Sequence, residues 1–196
     1  MTASSLNSAL GCAALPAVAT PDEALEAGLV EAAQGGCPDA FRSLVERHQQ
    51  RIYHFCFHYL RHACEAREAC QDTFIRAHRA LGSYRPRARF STWLFRIALN
   101  LCRDRARRRR VPTEAIDPEL PCPRGAPDDS AMRDADLAKL DRGLAALPEK
   151  FRAVIVLSCL DGLSHAECAA VLKCSERSVE GRLYRARRKL AAWWEE

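Results

Sequence analysis

Apolar residues along this chain recur with the period of a helix, and no segment alternates with the two-residue period of a strand. The clearest case runs from Phe90. Phe90, Trp93, Leu94, Ile97, Ala98 and Leu101 fall at i, i+3, i+4, i+7, i+8 and i+11, one continuous apolar stripe. Opposite them, Arg96, Asn100, Arg103, Arg107 and Arg110 recur every three or four residues. One helix thus has a core face and an unbroken basic face. Three helices are predicted before it. The first starts near Pro21-Asp22 and stops at Gln34-Gly35-Gly36. The second opens at Pro38-Asp39, where proline suits the first turn, and turns Phe41, Leu44, Val45, Ile52, Phe55 and Tyr59 inward. The third runs from about Cys64 to Leu81 on Ala66, Cys70, Phe74 and Ala77, and ends at Gly82. A loop from Ser83 to Arg89 follows, holding Tyr84 and three arginines around Pro86.

After Arg110 the periodicity collapses. Val111 to Ser130 contains five prolines and several acids with no apolar period, the composition of a linker. Helical signals resume in the second half. Leu147-Pro148 opens a helix through Phe151, Val154 and Ile155 that closes at Asp161-Gly162. Ser164 and Glu167 have capping-box spacing, so a short helix is expected to run to Leu172. Lys173-Cys174 turns the chain, and Ser175 caps a last helix with Val179, Leu183, Ala186 and Leu190 on its inner face. Two helices joined by a tight turn form a helix-turn-helix. The second places Arg177, Arg182, Arg185 and Arg188 outside the apolar stripe, where a recognition helix presents groups to phosphates and base edges. The expected fold is all-α: a leader over 1–21, a helical domain over 22–110, an acidic linker over 111–132 and a second helical domain over 133–196.

Charge sharpens this division. The 196 residues carry a formal net charge of only +5, but unevenly. From Arg76 to Arg110 there are twelve arginines against one acid, Asp104. From Val111 to Asp136 seven acids face two bases, and from Ser175 to Leu190 six bases face two acids. Two separate cationic surfaces imply a polyanion touched at two places. No stretch approaches the roughly 18 apolar residues of a membrane span. The uncharged first twenty residues lack a basic start and are interrupted by Pro16, so they read as a disordered leader of a cytoplasmic protein rather than a signal peptide. The ten cysteines are scattered, mostly inside helical patterns, without a Cys-x-x-Cys pair, and read as small, partly buried thiols.

Two chemistries compete with this reading. His54, His58 and His62 are spaced i, i+4, i+8 with Cys56 and Cys64 nearby, a spacing that can chelate zinc. The simpler reading is a polar helix face, and no metal or other cofactor is expected. Cys159, Cys168 and Cys174 invite a redox role, although Cys168 falls on a core position. An enzyme is not expected, since no carboxylate pair, nucleophile motif or glycine-rich phosphate loop is present.

At this point the sequence resembles the extracytoplasmic-function (ECF) sigma factors of the sigma-70 family, over roughly residues 23 to 192. The run Glu68-Ala69-Cys70-Gln71-Asp72-Thr73-Phe74 is similar to the core of that family's polymerase-binding helix. Phe90-Ser91-Thr92-Trp93-Leu94-Phe95-Arg96-Ile97-Ala98-Leu99-Asn100 is close to its Phe-x-x-Trp-Leu-x-x-Ile-Ala-x-Asn signature. Leu147 to Arg152 resembles the opening of region 4, and Arg182 to Leu190 the end of its recognition helix. The resemblance implies a transcription initiation factor that binds core RNA polymerase and promoter DNA. It implies docking on core through Glu68, Gln71, Asp72 and Phe74. It implies reading of the −10 element through Tyr84, Arg85, Arg96, Asn100, Arg103 and Arg107, with the Tyr84 loop as a pocket for a flipped base. The −35 element falls to Arg177, Ser178, Arg182, Arg185 and Arg188. An anti-sigma factor is the implied regulator, and the free protein is expected to be a monomer that does not enter a membrane. There are departures: Lys173 stands where the family often has glycine, Cys168 where isoleucine is usual, and Glu180 and Gly181 where lysine and serine are frequent.

The alternative is a conventional helix-turn-helix regulator whose first domain dimerises or senses a ligand. The Phe90–Asn100 block together with the Gln71 helix argues against it. Replacing both Arg182 and Arg185 by alanine is expected to weaken binding to −35 duplex while sparing core polymerase. Full promoter-directed transcription by the double variant would contradict the helix assignment.

Overall fold

A computed structural model of the chain describes residues 21–86, 88–110, 139–140 and 142–195. The linker expected over 111–132 lies outside the described residues, and so does the expected leader apart from Pro21, which is the first residue of α1. Within them every regular element is helical. Helix α1 spans Pro21–Gln34, α2 Pro38–Leu60, α3 Ala63–Ala80 and α4 Phe90–Arg110, with a 3₁₀ turn at Leu81–Ser83. A helical stretch at 142–146 precedes α5 (Glu149–Ile155), which continues as a π-helical turn, Val156–Leu160. Helices α6 (His165–Leu172) and α7 (Glu176–Glu195) complete the chain.

Local chemistry explains most boundaries. Arg61 adopts φ 61°, a left-handed cap whose N–H bonds the Phe57 carbonyl and ends α2. His62 then starts α3 by accepting the Glu65 N–H at Nδ1, 3.2 Å. Ser164 and Glu167 form the full capping box expected from their spacing. Ser175 Oγ accepts the Ser178 N–H at 3.2 Å and starts α7. Lys173 takes the turn of the helix-turn-helix at φ 52°, a conformation that costs a residue with a Cβ on the order of 1 kcal/mol.

Helices α2, α3 and α4 pack as a bundle, with α1 across α2. Leu44, Ile52, Phe55 and Tyr59 from α2 meet Ala66, Cys70, Phe74 and Ala77 from α3. The apolar stripe of α4 is wider than its spacing predicts: Phe95, Leu99 and Cys102 are buried as completely as Leu94 and Ala98, while Trp93 and Ile97 are only half-buried. The reason is tertiary. Helix α4 is covered by α2 and α3 from one side and by α6 of the second half from another. The buried residues of both halves join in a single apolar cluster, from Val30 to Ala186. In the second half, the helix-turn-helix closes on α5 and on 142–146. A Cβ at Gly143 would sit 2.8 Å from Leu190 Cδ1 and Trp193 Cε3, so any other residue there would push these side chains of α7 aside.

Polar contacts also cross between the halves. Arg152 donates to the carbonyls of Leu144 (2.9 Å), Ala145 (2.8 Å) and Leu147 (3.0 Å), and through its other nitrogen to Tyr59 O at the end of α2 (3.1 Å). A guanidinium placed on carbonyl groups at a helix end is favourable for both. Arg51 of α2 donates to the Asp161 carbonyl at 2.8 Å. The Asp161 side chain fares worse, for its Oδ2 is buried without a hydrogen-bond partner. Burial pushes this carboxyl up to about 7, with the Arg51 charge pulling the other way.

A carboxyl whose folded-state value lies above its unfolded one favours folding while protonated. That contribution is complete below the ordinary carboxylate range and is lost as pH rises toward 7. Asp161→Asn is therefore expected to raise the melting temperature at about pH 8 and to change it little at about pH 4. Thermal unfolding at both pH values checks this, and a pH-independent difference would rule out the buried carboxylate as its cause.

Candidate nucleic-acid interface

Four groups of side chains bear on function, and α4 connects three of them. The first is the loop between α3 and α4. Tyr84 is buried, its ring 5.6 Å from Phe90 and 5.0 Å from Trp93, and its hydroxyl donates to Ala88 O at 2.7 Å. It forms the floor of the loop rather than an exposed stacking surface. Arg85 is at the surface, with one nitrogen donating to Gly82 O (3.2 Å) and Tyr84 O (3.1 Å). Half-buried Trp93 is the aromatic face closest to solvent here.

The second group is the outer face of α4. Arg96 and Asn100 are exposed, as their spacing predicts. Arg107 is exposed and pairs loosely with Asp104 at 3.4 Å. Arg103 is different: its Nε donates to Glu149 Oε1 at 3.1 Å, and the same oxygen accepts the Tyr59 hydroxyl at 2.7 Å. Burial, with the Glu149 carboxylate beside it, pushes the Tyr59 phenol up, so it stays a donor. Asn100, Arg103, Asp104, Arg107 and Glu149 line an open cleft of about 480 Å³. Four of those walls belong to α4 and the fifth to the second half. Arg89, where the loop enters α4, bonds Glu167 of the capping box at 3.3 Å. Burial opposes ionisation of Glu167, yet the Ser164 hydrogen bonds and the Arg89 charge hold its carboxyl below the usual range.

The third group is the outer face of α3. Glu68 and Gln71 are exposed and Asp72 half-exposed. Phe74, grouped with them from the sequence, is 8% exposed and packs inward, so it supports this surface from beneath. Ile75, which sequence reasoning missed, stands 48% exposed beside them. Arg105 reaches from α4 to Glu68 Oε2 and Asp72 Oδ2, both at 2.8 Å.

The fourth group lies on α7. Arg177, Arg185 and Arg188 are exposed, and Arg182 and Ser178 are half-buried. Arg185 Nε donates to Gly181 O at 2.9 Å, and a Cβ at Gly181 would come within 3.3 Å of the same guanidinium. Gly181 thus leaves room for Arg185 to lie along its own helix. Tyr184, unremarked in the sequence, is 64% exposed amid these arginines, with Arg188 5.9 Å from its ring centre. An amphipathic ring in a cationic field suits a nucleic-acid contact; its signal was an aromatic residue off the apolar period.

The competing chemistries find little here. Helix α2 ends at Leu60, so His62 leaves the face of His54 and His58 and spends Nδ1 on the α3 cap. Among the described residues no group of three or more His, Cys, Asp or Glu side chains is arranged to hold a metal ion. Cys168 is buried and donates to Leu163 O at 3.7 Å, and burial pushes its thiol up to about 12. Exposed Cys159 accepts from Arg187 at 3.6 Å.

Comparison with known proteins matches a family model to each half of the chain. The family model for sigma-70 region 2 matches residues 44–111, and that for sigma-70 region 4 matches 137–190. The RNA polymerase sigma-H factor of Pseudomonas aeruginosa is 34% identical over 170 residues, 81% of this chain and 88% of that protein. The ECF RNA polymerase sigma-E factor of Escherichia coli is 35% identical over 170 residues with the same coverage. Among solved structures, CnrH in complex with the cytosolic domain of CnrY superposes with a TM-score of 0.70 at 33% identity, covering 87% of this chain and 97% of that one. RpoE from Bartonella quintana, in complex with the anti-sigma factor NepR, shares the fold at 22% identity, covering 79% and 96% of the two chains with a TM-score of 0.63.

The Arg103–Glu149 pair makes a direct prediction. Glu149→Gln removes the carboxylate paired with Arg103; if Arg103 meets DNA, the chain alone should then bind single-stranded DNA about two- to fivefold more tightly at low salt. The gain should fade as salt is added. Equal affinities at low salt, measured by fluorescence anisotropy, would mean that Arg103 does not meet DNA.

Proposed function

The chain belongs to the ECF sigma factors of the sigma-70 family, alternative sigma factors that direct RNA polymerase to promoters, and from that premise we propose which of its surfaces performs each task. Residues 22–110 act as region 2 and 133–196 as region 4, joined by the acidic linker 111–132 and preceded by a leader over 1–21. The outer face of α3, with Glu68, Gln71, Asp72 and Ile75, docks on core polymerase. The Tyr84 loop, with Arg85, and the α4 face of Arg96, Asn100, Arg103 and Arg107 engage the −10 element, where bases leave the duplex and a phosphate-following row of arginines is needed. Helix α7 enters the major groove of −35 duplex with Arg177, Ser178, Arg182, Arg185 and Arg188, and Tyr184 beside them. No cofactor and no catalytic group enter this scheme.

The observation that carries the assignment is the position of Arg105. It ties the acids of the docking face to the helix whose other face is the −10 surface. Docking on core and presentation of the −10 arginines therefore share one rigid element.

The arrangement of the two halves also bears on regulation. By their names the −10 and −35 elements lie about 25 base pairs apart, roughly 85 Å at 3.4 Å per pair. Two halves that share an apolar core and the Glu149 contact must separate to reach both, and a linker of about twenty residues reaches roughly 70 Å when extended. The closed form is thus a resting state, and a partner that favours it silences the protein. CnrH is similar to this chain and was solved in complex with the cytosolic domain of CnrY; we assign this chain an anti-sigma factor that acts on its closed form. None of the described helices is long and apolar enough to cross a membrane, and we place the protein in the cytoplasm, monomeric when free.

Gln71→Ala combined with Asp72→Ala should lower affinity for core polymerase by tenfold or more, on the order of 1.4 kcal/mol, with −35 duplex binding by the free chain unchanged. Competition against the wild-type chain for a limiting amount of core measures this. Undiminished competition by the double variant would reject the α3 face as the docking surface.

A further inference from the structure

Helix α1 lies before the segment matched by the region 2 model, which begins at residue 44, and nothing in the scheme above uses it. Its contacts give it a task. The loop over 81–89 is shaped by hydrogen bonds between near neighbours: Tyr84 N–H to Leu81 O (3.0 Å), Ser83 Oγ to Ala80 O (2.8 Å), Tyr84 hydroxyl to Ala88 O (2.7 Å), and Arg85 to Gly82 O and Tyr84 O. Such bonds curl a loop but leave its orientation on the body free. Among the described residues, the bonds that fix it to the body come from α1 at both ends and from Glu167 of α6 at Arg89. Gln34 Nε2 donates to Leu81 O at 2.9 Å and to Tyr84 O at 3.1 Å, so both of its N–H groups are used on the loop's first turn. At the other end of α1, Glu23 pairs with Arg89, where the loop enters α4.

The helix thus grips both ends of the loop. Fourteen residues at 1.5 Å each make it a strut of roughly 20 Å. The strut is itself anchored: Glu26 Oε2 bonds Nε2 of buried His48 at 3.0 Å, Arg47 pairs with Asp22 and lies 3.7 Å from Glu26, and Val30 is buried. The His48 ring lies 5.7 Å from Phe90, whose ring packs on Tyr84, so the same anchor supports the loop from below.

We propose that α1 sets base discrimination at the −10 element, with Gln34 as the positioning residue that holds the Tyr84–Arg85 loop in its reading geometry. Gln34 need not touch DNA. A site that recognises an unstacked base is selective only as far as its supporting groups are held in place, and Gln34 supplies long-range support at the loop's first turn, beside Tyr84 and Arg85. The inference rests on the assignment of this loop to the −10 element. The chemistry of Gln34 is specific. It must give two hydrogens to two carbonyl oxygens, which alanine cannot do, and which glutamate opposes by setting a carboxylate against both.

The test uses holoenzyme assembled from the full chain and core polymerase, bound to a pool of fork-junction DNA randomised at the single-stranded −10 positions. Sequencing the bound fraction gives the enrichment of the preferred base over the others at each position. The wild type should show a clear preference at one or more positions. Gln34→Ala should reduce that enrichment about five- to tenfold, as expected for two lost hydrogen bonds, and Gln34→Glu at least as much. Affinity for core and for −35 duplex should not change in either variant. Enrichment equal to wild type in both variants overturns the proposal. So does a uniform weakening on all bases that tracks a loss of core affinity, since that is the mark of a merely structural residue. Absence of any base preference in the wild-type holoenzyme would instead remove the −10 assignment of the loop, and the proposal with it.

Discussion

A helix with one side in an apolar core and a row of guanidinium groups on the other can meet its neighbours only through the margins between those faces. Helix α4 is in that position, and the rest of the molecule is arranged around it. Its buried side, with Leu94, Phe95, Ala98 and Leu99, closes the bundle of α2 and α3. At one margin Arg105 holds the acids of α3, and at the other Arg103 meets Glu149 of the second half. Burial of the apolar stripe supplies the stability, at roughly 25 cal/mol per Å² removed from water. The exposed ion pairs add little to it and act mainly to set geometry. The basic row can therefore be given over to a partner without loss of the fold.

Much of this was legible in the sequence wherever the cause is local. The boundaries of α1, the capping box at Ser164 and Glu167, the turn at Lys173 and the apolar face of α7 follow from neighbours within a few positions, and the structure has them as the spacing requires. So did the exposure of Arg96, Asn100 and Arg107. What escaped was set by distant residues. Phe95, Leu99 and Cys102 are buried because α4 is covered on two sides, which no period within the helix records. Phe74 reads as part of a docking motif yet faces inward, and Tyr84 reads as a stacking platform yet lies under its loop. Gln34 carries no motif, and the motif that holds Glu149 and Arg152 does not show their partners, which stand 47 and 50 residues away for Gln34, 90 for the Tyr59–Glu149 bond and 93 for the Arg152–Tyr59 bond.

On the assignment proposed above, the closed form places competition at the centre of function. Glu149 would offer Arg103 a carboxylate where DNA would offer a phosphate, and Tyr59 donates a short hydrogen bond to the same carboxylate oxygen. Glu167 pairs in the same way with Arg89. Helix α7, proposed to read the −35 element, keeps Arg177, Arg185 and Arg188 at the surface meanwhile. One of the two proposed DNA-reading surfaces is thus partly occupied by the protein's own acids while the other stays open, so the two would differ in what must change before they engage. Core polymerase, docking on α3 and holding the halves apart, would supply that change, and an anti-sigma factor would oppose it.

The most direct test is to mix the purified chain with sigma-free core RNA polymerase, resolve the mixture by gel filtration, and assay the product for promoter-specific initiation. The account predicts a stable one-to-one complex that starts transcription at defined sites, where neither component does so alone. Failure to bind active core, together with tight duplex binding by the chain by itself, would contradict it and point to a conventional helix-turn-helix regulator.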